Sequence, residues 1–312
     1  MYDWIYIIVG IIAFILAITL IIAYVSYRIA FFTSKNSKKN YYHIPKEYQH
    51  ERKKMRELVE NLSKIPFEQV FTYSHDGLKL SAKYYHVSDD APIQIQFHGY
   101  RGSGIRDFSG GNLLARELGF NTLLVDQRAH GDSEGCTISF GVVERYDVIS
   151  WCNYCVKNFP NKKIYLAGVS MGAASVIMSA ELNLPSNVKG IIADCSYSSP
   201  KDVIKLSCKK MKATPSLMFP FIALGGKLFG KFDINERTPL QAIPNAKVPI
   251  MLIHGEEDEI VPIQMAHQME QASCGKAKLY TFANASHGIS YIVNPIRYKQ
   301  LAIDFINKCE KI

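Results

Sequence analysis

The seven cysteines of this 312-residue chain follow no spacing that predicts disulfide bonds or a metal site. Their odd number and scattered positions are typical of free thiols in a reducing compartment. Cys152 and Cys155 have the spacing of half a zinc or redox pair, but residues 142–159 have helical apolar periodicity and no second pair follows. We therefore expect two thiols on one helix face, no metal site and no other cofactor.

Internal repeats, low-complexity tracts and nucleic-acid recognition modules are also absent from the sequence. The formal net charge is +8, but residues 28–64 hold ten basic and four acidic side chains and account for +6 of it. The remaining net charge is small, so we do not expect nucleic-acid binding. About 245 residues follow residue 66, which is enough for one large domain with a continuous core.

Charged side chains are missing from residues 5–25. A helix of this length, at about 1.5 Å per residue, spans the roughly 30 Å hydrocarbon core of a bilayer. A cleaved signal peptide is the alternative, but residues 1–4 lack lysine and arginine, the run is long for a signal peptide, and no small-x-small cleavage site follows. We predict one transmembrane anchor over residues 1–28.

Residues 29–66 follow as a basic juxtamembrane connector. Asp3 is the one charged side chain ahead of the apolar run, so the positive-inside rule predicts a single-pass membrane protein whose remaining domain is cytoplasmic. The composition of the connector fits two descriptions equally: contact with anionic lipid headgroups, or a solvated and partly helical linker.

From residue 67 onwards, strand-like and helix-like segments alternate. Residues 67–73 and 78–86 form a predicted hairpin, because the step Asp76-Gly77 between them is a strong turn signal. Further strands are predicted near residues 92–97, 121–126, 163–168, 189–194, 248–253 and 277–282. This alternation predicts an α/β fold with a mostly parallel sheet covered by helices on both faces.

A serine occupies the apex of a sharp turn in Gly168-Val169-Ser170-Met171-Gly172, between apolar residues 164–167 and helix-forming residues 173–182. In such a strand-turn-helix the serine side chain stands clear of the backbone, and the glycines on either side prevent collision between strand and helix. The geometry is that of a nucleophile elbow. The pattern alone recurs by chance, so other residues must support it.

Asp258 and His287 supply that support. Asp258 follows the predicted strand 248–253, and His287 follows the strand-like residues 277–283. Open parallel sheets bind their ligands at the carboxyl ends of strands, where these side chains are expected to meet. The order serine, acid, histidine, each after its own strand, is that of a hydrolase triad.

On these motifs, residues 67–312 resemble the α/β-hydrolase superfamily, and with the anchor they are similar to its membrane-anchored serine esterases and acyl hydrolases. Phe97-His98-Gly99-Tyr100-Arg101-Gly102-Ser103 resembles the oxyanion turn of the family, and residues 126–133 resemble the end of its next strand. The residues around Asp258 fit the family pattern H-G-x-x-D-x-x-V-P. The resemblance implies an α/β-hydrolase fold with a small helical cap.

The resemblance also implies a role for each site residue. Ser170 attacks the substrate, His287 transfers the proton, and Asp258 fixes the imidazole tautomer. The backbone N–H groups of Tyr100 and Met171 form the oxyanion hole, and each such donor contributes roughly 3 kcal/mol to transition-state stabilisation.

Other residues are alternatives to this assignment. Asp194 also follows a predicted strand and could replace Asp258 as the acid, in which case Asp258 would be a solvated loop charge like the glutamates beside it. Histidines near strand ends are more often hydrogen-bonded turn residues than proton shuttles. That description applies to His98, His130 and His254.

The longest insertion between core elements, residues 196–246, is the predicted cap. Its centre is apolar and carries lysines before and among the apolar residues. A partly apolar cap over the serine would suit an acyl chain, although the same side chains could simply pack the cap onto the sheet.

Three functions remain open from the sequence. We favour a serine hydrolase that cleaves carboxylic ester or thioester bonds of a small-molecule or lipid-like acyl substrate, which the anchor would bring into range. The first alternative is a serine peptidase of the aminopeptidase type, which needs an acidic or otherwise polar site for the peptide amine, and the sequence places no such site near Ser170. The second is a non-catalytic binding protein, which is disfavoured because every triad position holds a competent residue.

Overall fold

Eight strands form one sheet in the computed structural model, which describes residues 3–34, 48 and 51–311. The strands are β1 (Glu68–Tyr73), β2 (Lys79–Tyr85), β3 (Ile93–Phe97), β4 (Asn121–Asp126), β5 (Ile164–Val169), β6 (Val188–Asp194), β7 (Ile250–Gly255) and β8 (Ala277–Phe282). Their order across the sheet is β1-β2-β4-β3-β5-β6-β7-β8. Strand β2 is antiparallel to both neighbours and the other pairs are parallel, which confirms the predicted mostly parallel sheet.

Helices cover both faces of this sheet, as predicted. They are α1 (Asp3–Ala30), α2 (Arg52–Ser63), α3 (Gly104–Asp107), α4 (Ser109–Glu117), α5 (Glu144–Asn158), α6 (Met171–Ser179), α7 (Pro200–Lys210), α8 (Pro215–Phe229), α9 (Pro239–Ala242), α10 (Gln264–Ala272), α11 (Ser290–Val293) and α12 (Pro295–Cys309). Alternation along each strand builds two cores. Leu123 and Val125 face the core under α5, α6 and α10, whereas Leu124 faces the core under α2, α4 and α12.

The predicted hairpin between β1 and β2 is present, and its turn is closed by side-chain hydrogen bonds. The Ser74 hydroxyl donates to the Asp76 carboxylate at 2.6 Å and accepts from the Leu78 backbone N–H at 2.8 Å. Gly77 has a φ of 87°, a conformation that favours glycine. The Asp-Gly signal therefore identified the turn for the expected physical reason.

Helix α1 is long and apolar enough to cross a membrane, a property that a membrane anchor shares with a signal sequence. From residue 4 to residue 22 its side chains are exposed or half-buried, but near its carboxyl end Ala23, Tyr27 and Phe31 are buried. Tyr27 and Phe31 belong to the same core as the cap residue Phe232. The last turns of α1 are therefore packed on the rest of the protein.

Part of the predicted connector also packs on the domain. Met55, Val59 and Leu62 on α2 are buried, and α2 lies against α4. Residues 35–47, 49 and 50, which complete this connector, lie outside the described residues. The boundary at residue 67 stays a prediction.

The predicted cap, residues 196–246, falls between β6 and β7 and contains α7, α8 and α9. Helices α7 and α8 pack against each other, and α8 also packs along α1. The cap shares a core with α6 through Met171 and Ala174. It therefore lies beside the amino-terminal end of the helix that follows Ser170.

The elbow provides a stability prediction at Gly172. A Cβ atom there would lie 1.9 Å from the Phe97 carbonyl oxygen, which is backbone and cannot move without shifting β3. We expect Gly172→Ala to lower the free energy of unfolding by about 3 kcal/mol, because overpacking against backbone strains the fold. Thermal unfolding of the full chain in detergent measures the loss.

Gly10→Ala is the matched control for this substitution. A Cβ atom at Gly10 meets nothing within 4 Å, so the melting temperature of this variant should equal that of the wild type. Equal melting temperatures for Gly172→Ala and Gly10→Ala would contradict the close strand–helix contact.

Candidate active site

Ser170 lies between β5 and α6, in a strained backbone conformation. Its φ is 55° and its ψ is −113°, a combination that costs free energy in a residue with a Cβ atom. A Cβ atom on Gly168 would lie 2.4 Å from the Gly172 carbonyl carbon, so the strand and the helix meet with room for glycine only. The sequence predicted this turn, and the structure has the geometry of a nucleophile elbow.

Asp258 and His287 are joined by a hydrogen bond. His287 follows β8, and its Nδ1–H donates to the Asp258 carboxylate at 2.7 Å. The other Asp258 oxygen accepts from the backbone N–H groups of Ile260 and Val261 at 2.9 and 2.8 Å. The Asp258 side chain has no exposed surface, so these bonds hold both the carboxylate and the imidazole in fixed orientations.

The surroundings of Asp258 keep it ionised. Burial disfavours the charged form, but hydrogen bonds from His254 and His287 outweigh burial and lower the pKa of the Asp258 carboxyl far below its ordinary value. An ionised carboxylate accepts hydrogen bonds only, so it requires the proton of His287 on Nδ1. That tautomer leaves Nε2 with a lone pair, as a general base needs.

Ser170 and His287 line the same cavity, which has a volume of about 390 Å³. The His287 Nε2 atom lies 3.8 Å from Cys195 Sγ, and the described residues include no hydrogen bond between His287 and Ser170. Catalytic hydrogen bonds are often long without substrate and tighten when substrate binds. The structure thus brings Ser170 and His287 to one cavity, and the buried Asp258 reaches that cavity only through its hydrogen bond to His287.

The two backbone N–H groups of the predicted oxyanion hole have no described hydrogen-bond acceptor. Within the described residues, the N–H groups of Tyr100 and Met171 donate no hydrogen bond. The turn containing Tyr100 is held on both sides, because Asp107 accepts from the Gly99 N–H at 2.9 Å and His130 Nε2 accepts from the Arg101 N–H at 3.1 Å. A turn fixed in this way can present donors without reorganising.

Asp194, the alternative acid, has a different environment. It ends β6, and its Oδ1 atom is buried without a hydrogen-bond partner among the described residues. Burial raises the pKa of its carboxyl to about 7. Among the described residues, the His287 imidazole is hydrogen-bonded to Asp258 and makes no hydrogen bond to Asp194.

The other three histidines near strand ends bond to backbone. His98 bonds the Gly99 carbonyl through Nδ1 and accepts from the Gln127 N–H through Nε2. His130 Nδ1 bonds the Arg128 carbonyl, and His254 Nε2 bonds the Val261 carbonyl. His98 and His130 therefore act as turn residues, whereas His254 also contacts the acid, because its Nε2 atom lies 3.3 Å from Asp258 Oδ2.

The lining of the cavity was not predicted from the sequence. Beside Ser170 it includes Met55 of α2, Gly110 of α4 and Tyr291 of α11, and among the described residues none of the cap contributes to it. The expectation that the cap covers the serine is therefore wrong for this cavity. Helical periodicity identifies Met55 as an inward-facing residue, but the helix that receives it is fixed only by packing.

A second, wider cavity of about 1210 Å³ shares His287 and Ile260 with the first, and Asp258 belongs to its lining. Besides Asp258, its lining carries one lysine, Lys210, and four glutamates: Glu51, Glu256, Glu257 and Glu259. The His287 side of the site therefore opens towards negative charge, whereas the Tyr291 side is mostly apolar.

The chain matches two family models, one described as alpha/beta hydrolase fold over residues 95–218 and one as Phospholipase/Carboxylesterase over residues 204–309. It is 27% identical to the protein YqkD of Bacillus subtilis over 80% of this chain and 82% of that protein. It is 23% identical to the protein bem46 of Schizosaccharomyces pombe over 70% and 68% of the two chains. Among solved structures, the Pyrococcus furiosus esterase Pf2001 has the same fold, with a TM-score of 0.66 and 23% identity over 80% of this chain and 93% of that chain.

Proposed function

The chain belongs to the α/β-hydrolase superfamily, and we propose that it is a serine hydrolase that cleaves carboxylic ester or thioester bonds of an acyl substrate. The observation that carries this proposal is the 2.7 Å hydrogen bond between Asp258 and His287, the histidine that lines one cavity with Ser170. The strained elbow at Ser170 and the two N–H groups without a described acceptor support the same chemistry.

The proposed reaction has two acyl-transfer steps. In the first, Ser170 Oγ attacks the acyl carbon while its proton passes to His287 Nε2. The carbon–oxygen or carbon–sulfur bond of the substrate then breaks, and the leaving group takes that proton. In the second step a water molecule gives a proton to His287 and attacks the acyl-enzyme. The bond between the acyl carbon and Ser170 Oγ then breaks, His287 returns the proton to Ser170 Oγ, and the acid is released.

The two N–H groups and Asp258 stabilise different charges in this reaction. The negative oxygen of each tetrahedral intermediate accepts hydrogen bonds from the Tyr100 and Met171 N–H groups, and each is worth roughly 3 kcal/mol in comparable sites. The Asp258 carboxylate stabilises the positive imidazolium that forms at the same moment.

We assign the anchor, connector and catalytic domain to residues 1–28, 29–66 and 67–312, with a cap insertion at about 196–246. The apolar helix α1 supports a membrane anchor, and the basic residues after it support a cytoplasmic catalytic domain. An anchored enzyme of this kind meets acyl substrates at the membrane surface. The apolar side of the 390 Å³ cavity supports an acyl group as the bound part of the substrate.

A p-nitrophenyl ester series from acetate to palmitate tests the proposed reaction on the full chain in detergent. Each buried methylene contributes about 0.8 kcal/mol, so kcat/KM should rise several-fold per added methylene until the cavity is full and then fall. Absence of turnover on every ester would contradict the esterase proposal.

The acidic second cavity favours one alternative, a peptidase that binds the amine of a peptide. Glu256 and Glu257 are exposed and line the second cavity together with His287, so they provide negative charge that a peptide amine could meet. Aminoacyl p-nitroanilides, assayed beside the esters, separate the two functions. Serine-dependent turnover of the anilides without turnover of the esters would replace the first proposal by this one.

A further inference from the structure

Helix α8 is apolar on both of its faces. Phe219, Ile222 and Gly226 face the cap core and are buried. Leu217, Phe221, Leu224 and Leu228 recur at helical spacing on the opposite face, where Leu217 is 63% and Leu228 is 47% exposed. A water-facing helix surface of a soluble domain normally carries polar residues there, so this outward face requires another explanation.

The position of α8 supplies that explanation. A Cβ atom on Gly225 would lie 2.3 Å from the Ala23 carbonyl oxygen, so α8 and the end of α1 are in backbone contact. Phe229 packs edge-on against Tyr24, with ring centroids 5.2 Å apart. The outward face of α8 is therefore held beside the exposed apolar surface of α1.

The length of α1 sets the depth at which the contact occurs. The exposed part of α1, residues 4–22, is about 28 Å long at 1.5 Å per residue, which matches one hydrocarbon core. The close backbone contact with α8 lies at the next residue, Ala23, and a span of this length would place Ala23 near the boundary between hydrocarbon and headgroups. Helix α8 then lies at the level of the headgroups and the upper acyl chains.

Basic side chains are placed where headgroups would be. Exposed lysines lie near both ends of α8: Lys212 precedes it, Lys227 is in its last turn and Lys231 follows it. Apolar stripes bracketed by lysines are typical of helices that lie in the interface of an anionic membrane.

We propose that α8 is a second membrane-contacting element, whose outward face is covered by lipid of the leaflet from which α1 emerges. This inference rests on the proposed role of α1 as a membrane anchor. Contact of both α1 and α8 with the membrane would prevent rotation of the catalytic domain about the α1 axis. The domain would then keep one orientation relative to the membrane.

The orientation has a consequence for substrate entry. Tyr100 and Arg101 line the serine cavity, and they also bind the end of α1: the Tyr100 hydroxyl donates to the Ala30 carbonyl at 2.8 Å and Arg101 to the Ile29 carbonyl at 2.7 Å. One wall of the cavity therefore lies directly on the emerging helix. A lipid-like acyl substrate would enter from the leaflet on this side.

Quenching of tryptophan fluorescence by brominated phospholipids tests the proposal in the full chain reconstituted into vesicles. The protein has two tryptophans, Trp4 on α1 and Trp151, which is fully buried on α5. Leu217→Trp is made together with Trp4→Phe, so that Trp151 is the remaining background. The matched control is Val87→Trp in the same background. Val87 is exposed after β2, at the end of the sheet opposite Ser170.

We expect the Leu217→Trp protein to be quenched at least about twofold more than the Val87→Trp protein, since an interfacial helix sits about 5–10 Å into the headgroup and acyl boundary. Equal quenching of the two proteins, with Trp4 of the wild type quenched, would overturn the proposal for α8 and leave the anchor intact. A wild-type Trp4 that is not quenched would overturn the anchor and the inference together.

A second measurement concerns substrate supply. Leu217→Gln combined with Leu228→Gln should lower hydrolysis of a vesicle-embedded long-chain p-nitrophenyl ester several-fold and leave hydrolysis of water-soluble p-nitrophenyl acetate unchanged. If the double variant hydrolyses both substrates at the wild-type rate, delivery from the leaflet is contradicted. If the double variant loses activity on both substrates, the substitutions disturb the cap. If the wild type does not hydrolyse p-nitrophenyl acetate, the proposed reaction is contradicted. The quenching experiment still tests the membrane contact of α8, because it does not depend on activity.

Discussion

Ser170→Ala is expected to lower ester turnover by about 10⁴-fold or more, because removal of the nucleophile eliminates the acyl-enzyme route and leaves only binding and the oxyanion hole. The unfolding free energy should change little, since alanine keeps the Cβ atom and its φ of 55°. Initial rates on the best p-nitrophenyl ester, together with thermal unfolding, measure both effects.

Ser179→Ala is the matched control for this substitution. Ser179 lies on the same helix, α6, and its hydroxyl donates to the Val176 carbonyl at 2.8 Å, away from the cavity. This variant should react with a fluorophosphonate probe as the wild type does, and Ser170→Ala should not. If Ser170→Ala hydrolyses the ester at the wild-type rate, Ser170 is not the nucleophile.

Asp258→Asn is expected to lower kcat by about 10⁴-fold, the size of effect seen when the acid of a serine triad loses its charge. An asparagine can donate to His287 Nδ1 and so stabilise the wrong tautomer, in which Nε2 carries the proton. Steady-state kinetics on the ester series measure kcat and KM separately. The loss should fall on kcat, because Asp258 acts on the imidazole.

The same substitution should change how stability depends on pH. The pKa of Asp258 is lower in the folded protein than in the unfolded chain, so its carboxylate stabilises the fold above the unfolded pKa of about 4 and loses this contribution as pH falls towards the folded value. Asp258→Asn should therefore be less stable than the wild type at pH 7, with a smaller difference at pH 3.

Asp194→Asn serves as the control carboxylate. Burial raises the pKa of Asp194 to about 7, so the folded protein holds its proton more tightly than the unfolded chain, and this group costs stability as pH rises from about 4 to about 7. Asp194→Asn should keep activity within a few-fold and be more stable than the wild type at pH 8. If Asp194→Asn loses activity while Asp258→Asn keeps it, Asp194 is the acid of the triad and Asp258 is not.

The elements of the fold were predictable because local sequence carries their signals. Each of the eight strands was placed within two residues of its observed ends, since buried apolar runs bounded by turn residues are local features. The elbow was predictable for the same reason. Gly168 and Gly172 flank Ser170 within five residues, and the close contact between strand and helix that requires these glycines is formed by residues adjacent in the chain.

Contacts between distant elements were not predictable in this way. The sequence left Asp194 and Asp258 both open as the acid, because each follows a strand, and the partner of His287 depends on loop conformations after β7 and β8. The cap was expected over the serine, but the described lining comes from α2, α4 and α11 instead. Apolar periodicity shows which side of a helix is buried and does not identify the surface that buries it.

The sequence by itself determined the strand-helix alternation, the elbow at Ser170 and the apolar length of α1, because each depends on residues adjacent in the chain or one helical turn apart. Tertiary structure alone decided that Asp258 rather than Asp194 bonds His287, that Met55 and Tyr291 line the cavity, and that α8 packs against the end of α1. These contacts join residues far apart in the chain. Their geometry follows from how the sheet and helices pack together, which no local pattern encodes.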